Sequence, residues 1–341
     1  MRQKQHPAAP RFPACGWMLL CASALLSACS INPPVDLAEV AETSEGRQLD
    51  GIPFFPQTEF RCGPAALAGV LGAAGVATTA DELSPQVYLP ERQGSLQVEL
   101  LAATRRAGLV AYQACPEMAG LVAEIEAGWP VLVLQNLRTR HFPVWHYAVV
   151  TGFDPVNNTV VLNSGTEEQV PVPAPRFLRT WDWGGRWAMV ALRPGQMPAC
   201  PDPLRYAQAV AAFEQVAGSQ AAIPAWRAAA EQWPEDHRPR FALGNLYLST
   251  GQQLQAIHHY RLGLAANPGD AALENNLATA LAEAGCPRMA EQRLEHVRQA
   301  LAADSPWRPD IEGTIAELAA LGGQDAPRCK ALWSEPPAIA N

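Results

Sequence analysis

Gln57-Thr58-Glu59-Phe60-Arg61-Cys62-Gly63-Pro64-Ala65-Ala66-Leu67 sets a lone cysteine at the mouth of an apolar segment, with a glutamine five residues before it. Pro64 suits a first helical turn, where a missing N–H costs nothing. Ala65 to Ala74 is rich in alanine, with Leu67, Val70 and Leu71 on one side, so the spacing predicts a helix closed by a left-handed Gly75. Cys62 then stands at the helix N-terminus, beside unpaired backbone N–H groups and the positive end of the dipole. Such a position favours a thiolate, the form in which a cysteine attacks. The same N–H groups, with the side-chain amide of Gln57, can hold an oxyanion.

A thiol nucleophile needs a base, which the fold and not the local sequence brings close. His146 is the candidate. It opens His146-Tyr147-Ala148-Val149-Val150-Thr151-Gly152-Phe153, a β-branched apolar run that reads as a buried strand. Asp154-Pro155-Val156-Asn157-Asn158 is turn chemistry, and Thr159-Val160-Val161-Leu162 is the returning strand, ended by Asn163-Ser164-Gly165. Asn163 is the expected partner that orients His146, giving a Cys-His-Asn arrangement. The hairpin register is open at this level, so Asp154 or a backbone carbonyl stays in reserve. His141 is the rival base, set in a proline-containing loop, and Trp145 is expected to pack.

Gln57-x4-Cys62-Gly63, the small apolar helix, and His146-Tyr147 heading a hairpin resemble the bacteriocin-processing, double-glycine-leader cysteine peptidases, over roughly Leu49 to Arg193. The resemblance implies a papain-like fold, with Cys62 as nucleophile, His146 as base and Gln57 supporting the oxyanion. Where that family usually has aspartate as third residue, Asn163 stands here. The wider arrangement, a peptidase-like domain behind a lipoprotein signal and ahead of tetratricopeptide repeats, resembles a group of proteobacterial lipoproteins. It carries no export transporter of the kind that normally accompanies the leader peptidases.

Residues 1–28 read as a lipoprotein signal peptide. Arg2, Lys4 and Arg11 precede a short apolar run, and Leu26-Ser27-Ala28-Cys29 matches a lipobox, making Cys29 the lipidation site. Ser30 after it points to the periplasmic face of the outer membrane, by resemblance to sorted lipoproteins. Residues 29–48 read as a tether, part of a polar stretch from Ile31 to Asp50 that lets the domain stand off the bilayer. Residues 49–193 form the α+β peptidase domain, helices mostly first and strands later. Within it, Thr79-Ala80-Asp81-Glu82 is a capping box. Gly94-Ser95 is expected to cap a helix from Leu96 to Ala107, and Pro116 to start one reaching Ala127. Strands are expected at Pro130 to Leu134 and Trp187 to Leu192, with Trp181-Asp182-Trp183-Gly184-Gly185 a loop. Residues 194–202 are a proline-rich linker.

Residues 203–325 repeat. Ala222-Ile223-x-x-Trp226-Arg227 recurs as Ala256-Ile257-x-x-Tyr260-Arg261 and more loosely as Ala290-x-x-x-Leu294, each 34 residues on, the tetratricopeptide period. Leu243-Gly244, Tyr247, Gly251 and Pro268 fall where that motif expects them. Three repeats and a capping helix from Ile311 to Leu321 form an all-α solenoid whose groove suits a peptide or partner protein. His258 and His259 are expected on its surface.

The chain is 17% charged and 48% hydrophobic, which excludes large-scale disorder, and its net charge of −8 argues against nucleic acid as a partner. Eight cysteines include Cys15 and Cys21 in the signal, Cys29 and Cys62. Cys115, Cys200, Cys286 and Cys329 remain. Pairing Cys286 with Cys329 would staple the end of the solenoid and Cys115 with Cys200 is possible, with connectivity open. Neither Cys-x-x-Cys nor a His-rich pattern occurs, so no metal and no cofactor are expected. Three functions fit these residues: a membrane-anchored cysteine peptidase, a non-catalytic peptide-binding or assembly lipoprotein, and a transpeptidase or amidase using the same thiol.

Overall fold

The computed structural model describes residues 33–41, 44–56, 61–322 and 324–330. Cys29 and Gln57 lie outside the described residues. The chain enters through a short helix, α1 (Leu37–Val40), capped by the Asp36 carboxylate, and a two-residue strand, β1 (Arg47–Gln48). This stretch does not stand off as the tether reading expects. Leu37 is fully buried in the core, its N–H donates to Asn158 Oδ1 (3.1 Å), and Asn158 Nδ2 donates to the Val35 carbonyl (2.9 Å).

The cysteine helix, α2 (Cys62–Ala73), forms as its alanine content predicts and turns off at Gly75, whose φ is +86°. Helix α3 (Ala80–Val87) starts in a complete capping box, with Thr79 Oγ1 accepting from the Glu82 N–H and Glu82 reaching back to the Thr79 N–H. Strands β2 (Tyr88–Leu89) and β3 (Gly94–Ser95) pair as a small ribbon. Ser95 is therefore spent in a strand and does not cap the next helix, α4 (Gln97–Arg106), which Leu96 enters without a side-chain cap. Strand β4 (Val110–Gln113) follows, then α5 (Met118–Glu126), β5 (Val131–Asn136), β6 (Trp145–Asp154), β7 (Thr159–Ser164) and β8 (Glu167–Pro173). Of the Trp181–Gly185 segment expected as a loop, Gly184 and Gly185 form the turn, but the first three residues are helical: α6 (Ala174–Trp183) buries Trp181 completely, stacked on Phe177. Strand β9 (Ala188–Leu192) closes the domain.

The strands form one antiparallel sheet in the order β4-β9-β5-β6-β7-β8, with β1 pairing β6 beyond the end of β5. Alternation splits its two faces. Leu132, Leu134, Tyr147, Val149 and Met189 pack against Leu67, Leu71 and Leu100 of α2 and α4. Val131, Val133, Ala148 and Val150 face the other way, in a core shared with Leu121 and Ile125 of α5 and Phe177 and Trp181 of α6. This is an α+β sandwich, and an all-α part follows it.

Helices α7 (Pro203–Ala217), α8 (Ser219–Gln232), α9 (His237–Ser249), α10 (Gln253–Ala266), α11 (Ala271–Glu283), α12 (Pro287–Ala300) and α13 (Arg308–Leu321) make up that part. First helices begin at 203, 237 and 271 and second helices at 219, 253 and 287, each 34 residues apart. The recurring residues face inward: Ala222, Ala256 and Ala290 are fully buried, as are Tyr260 and Leu294, with Trp226 nearly so. Gly244 is required because the Tyr260 ring lies 2.3 Å from where a Cβ would stand. His259 is buried and stacked on Tyr247 at 5.3 Å, not exposed as the sequence suggested, while His258 is half-buried.

Disulfides Cys115–Cys200 and Cys286–Cys329 are both formed. The first joins the sheet domain to the segment before α7. The same junction is held by Glu124, a fully buried carboxylate that accepts from the N–H groups of Ala199 and Cys200.

Candidate active site

Cys62, the free cysteine among the described residues, begins α2 and is half-buried. Its side chain packs against the cluster that holds Tyr147, and the backbone N–H groups of Tyr147, Gly63 and Cys62 itself favour its thiolate. The Tyr147 contact has a structural origin. Leu134 stands opposite Tyr147, but its own N–H is spent on the Trp187 carbonyl on the β9 side. Leu134 and Tyr147 are thus a non-hydrogen-bonded pair, and the Tyr147 N–H points to the β7 side. There β7 pairs no further along β6 than Asn163 opposite Val149. The head of α2 packs against β6 there, with Cys62 against the cluster that holds Tyr147.

Gly63 is part of this fit. A Cβ there would lie 2.3 Å from Ser95 Oγ and 2.6 Å from Ser95 Cβ, so only glycine admits the helix so close to β3. Among the described residues the Ser95 hydroxyl is buried without a hydrogen-bond partner, and the Ser95 carbonyl accepts from the Tyr147 hydroxyl (3.2 Å).

His146 precedes Tyr147 and shares its register with Gln135. Its Nε2 lies 2.9 Å from Ser164 Oγ, at the end of β7. The imidazole therefore leans toward the end of β7. Among the described residues no other hydrogen bond engages the ring, which leaves Nδ1 open. Asn163, the expected orienting residue, is elsewhere: its Oδ1 accepts from the Gln169 N–H (2.9 Å) and fastens the β7–β8 turn. A strand alternates faces, so Asn163 and Ser164 cannot both meet His146, and the register gives the contact to Ser164. Asp154, the reserve, sits at the far end of β6 in a turn with Asn157. His141 is exposed in the β5–β6 loop, and Trp145, expected to pack, is 56% exposed. Ser164 was hidden in the sequence because serine is ordinary at a strand end; an exact hairpin register was the one signal that could have found it.

The electrostatics reverse one expectation. Burial pushes the Cys62 thiol up, and the N–H groups of Tyr147 in β6 and of Gly63 and Cys62 at the head of the helix only partly oppose it. Burial likewise pushes the His146 imidazole down. Both effects favour the uncharged form, so thiol and imidazole both rest neutral. Desolvation wins because the helix terminus is pressed into the sheet and not into water. Among the described residues no group of three or more His, Cys, Asp or Glu is placed to hold a metal ion.

Residues 49–184 match the Peptidase_C39 like family. No curated protein matches the chain significantly. Among solved structures, a protein described as a C39-like peptidase from Bacillus anthracis is similar at 19% identity, over 44% of this chain and 98% of that one, with a TM-score of 0.36. The type III secretion translocator chaperone SycD of Yersinia enterocolitica is similar at 17% identity, over 35% of this chain and 83% of that one, with a TM-score of 0.33. The sheet domain thus has an α+β, papain-like fold and is similar to the C39-like peptidase family over residues 49–184, and an all-α region follows it.

Proposed function

We propose that the chain is a cysteine peptidase of the cell envelope, acting on peptide or protein substrates through Cys62 and His146. One observation carries the reading. Cys62 heads the helix that packs against β6 beside Tyr147, the neighbour of His146, while the imidazole is tied through Nε2 to Ser164 with Nδ1 open. Nδ1 accepts the thiol proton as the sulfur attacks the carbonyl carbon, and the carbonyl π electrons move onto oxygen. The resulting imidazolium then gives that proton to the leaving amine as the C–N bond breaks. Water, losing a proton to Nδ1, cleaves the thioester and restores the thiol. Backbone N–H groups at the head of α2, with the Gln57 amide, serve the oxyanion. Ser164 takes the orienting part first assigned to Asn163, accepting the Nε2 proton.

In this proposal Cys29 is lipidated and holds the chain at the membrane, on the periplasmic face of the outer membrane. The 34-residue helix pairs are tetratricopeptide repeats whose groove recruits substrate or an adaptor. The test is hydrolysis of a periplasmic peptide library by the wild type and by Cys62→Ala. Turnover in the wild type alone is expected; equal turnover by both ends the reading.

The second reading is a non-catalytic peptide-binding lipoprotein. The neutral resting pair and a serine in the orienting place favour it. Trapping separates the two: a catalytic Cys62 forms a thioester or a covalent adduct with a peptide aldehyde at neutral pH, and a structural one does not.

A further inference from the structure

Nine consecutive residues between β5 and the site histidine are exposed: Leu137-Arg138-Thr139-Arg140-His141-Phe142-Pro143-Val144-Trp145. They hold four of the molecule's exposed large apolar side chains, with Phe142 at 71% and Trp145 at 56%. They hold two arginines and no carboxylate, in a chain whose net charge is −8. Nor is the loop slack. Asn136, almost fully buried, donates through Nδ2 to the Thr139 carbonyl (2.9 Å) and accepts through Oδ1 from the N–H groups of Arg138 (3.2 Å) and Val144 (3.0 Å). Thr139 Oγ1 accepts from the Phe142 N–H (3.0 Å), and the Leu137 N–H donates to the Val144 carbonyl (2.9 Å). A buried amide thus spends its hydrogen bonds on presenting apolar and cationic side chains to solvent.

Aromatic and arginine side chains on a pre-ordered loop are the composition of binding hot spots, and the ordering cost is met before the partner arrives. We infer that this loop is a docking element for a polypeptide that offers apolar side chains flanked by carboxylates, and that it guides the polypeptide toward Cys62. The destination rests on the peptidase reading; the binding does not. Charge selects the occupant, because Arg138 and Arg140 meet no carboxylate within the loop. Position selects it too, because Trp145 adjoins His146. A bilayer fits less well. The N-terminal segment, which carries the candidate lipid site, is fastened at Asn158, at the opposite end of β6. Ten residues of strand put that end about 30 Å from the loop.

The test measures binding by the full chain carrying Cys62→Ala, so turnover plays no part. Three fluorescein-labelled twelve-residue peptides serve as probes: one alternating Glu with Leu and Phe, one with Lys for every Glu, and one with Ser for every Leu and Phe. The first is expected to bind at least tenfold tighter than either other, and more weakly at high salt. Arg138→Glu with Arg140→Glu, and separately Phe142→Ser, should each weaken it about tenfold with an unchanged melting temperature. Equal affinity for the three peptides overturns the proposal, as does full binding by both variants. Phosphatidylglycerol vesicle binding that these variants abolish, with peptide binding untouched, also overturns it in favour of a membrane. Self-association that they abolish, again with peptide binding untouched, overturns it in favour of a second copy. If the peptides bind as expected but the wild type never cleaves them, the docking element stands and the peptidase reading alone falls.

Discussion

Ser164 Oγ at 2.9 Å from His146 Nε2 fixes what single substitutions should do. A neutral hydroxyl orients the ring but adds little charge to stabilise an imidazolium. Ser164→Asp places a carboxylate there, and an opposite charge within hydrogen-bond reach raises a histidine pKa by about 1–3 units. NMR titration of the His146 ring should follow that rise, and the acid limb of the peptidase pH profile should move with it. Asn163→Ala should leave both unmoved and lose only stability, about 1–3 kcal/mol, because it unfastens the Gln169 N–H. The shifts of the site pair also set a pH window. His146 is held below its ordinary value, so the unfolded chain binds its proton more readily, and stability is lost as pH falls through about 6.5. Cys62 is held above its ordinary value, so stability is lost as pH rises from about 8.5, and alkylation of the resting thiol should have its midpoint above that. Denaturant midpoints across pH check this: Cys62→Ala should remove the part of the alkaline loss that begins near pH 8.5, while buried Tyr112, Tyr147, Tyr206 and Tyr260, all raised by burial, keep the part above about 10. His146→Gln should remove only part of the acid loss, because His259, pushed down to about 3, contributes with the same sign. Residue types were legible in the sequence; which of two adjacent residues met the imidazole was not, because a one-residue difference in register exchanges the faces.

Elements were legible where their signals are local. The capping box at Thr79 and Glu82, the alanine-rich α2 and the His146 strand follow from side chains acting within a few residues. Ser95 was misread as a cap because β2 claims it, a pairing that no local signal announces. Gly184 and Gly185 do make the turn they suggest, but Trp181 to Trp183 before them were misread, because packing against the sheet decides for helix there. Strand β8, Glu167–Pro173, carries three exposed polar residues and two prolines and reads as nothing until β7 offers it an edge. Ser95 and Gly63 together give an element-scale prediction. Gly63→Ala should cost about 1–3 kcal/mol by overpacking, since the new methyl meets Ser95 and pushes α2 away from β3. The Tyr147 N–H should then favour the thiolate less, and thiol alkylation should change with it. Adding Ser95→Gly opens the space and should restore both stability and the alkylation rate. A fall that the second substitution leaves untouched would assign Gly63 to the helix backbone and not to the contact.

At the scale of the whole molecule, the two parts are not beads on a string. Tyr112 of β4 donates its hydroxyl hydrogen to the Cys200 carbonyl (2.9 Å), accepts from the Asp202 N–H (3.1 Å) and packs its ring on Tyr206 of α7. With the Cys115–Cys200 disulfide and Glu124, the segment read as a linker is a rigid joint. The same holds at the other end, where the expected tether is folded into the sheet domain. Leu37 has no exposed surface and sits in a core with Leu121, Ile125 and Phe153. If Cys29 carries lipid, only three residues, Ser30 to Asn32, separate it from the described chain, and the β6–β7 turn is held near the bilayer with the thiol at the far end of the sheet. A tether and a folded segment respond oppositely to one substitution. Leu37→Ala in a tether changes nothing; in a core it costs about 2–5 kcal/mol, the removed side chain plus the cavity it leaves. The urea midpoint of the sheet domain should therefore fall, and hydrogen exchange should quicken along β1 and the β6–β7 turn while α9 to α12 keep their protection. An unchanged midpoint would return residues 33–41 to the role of a spacer and free the active site to sit at any height above the membrane.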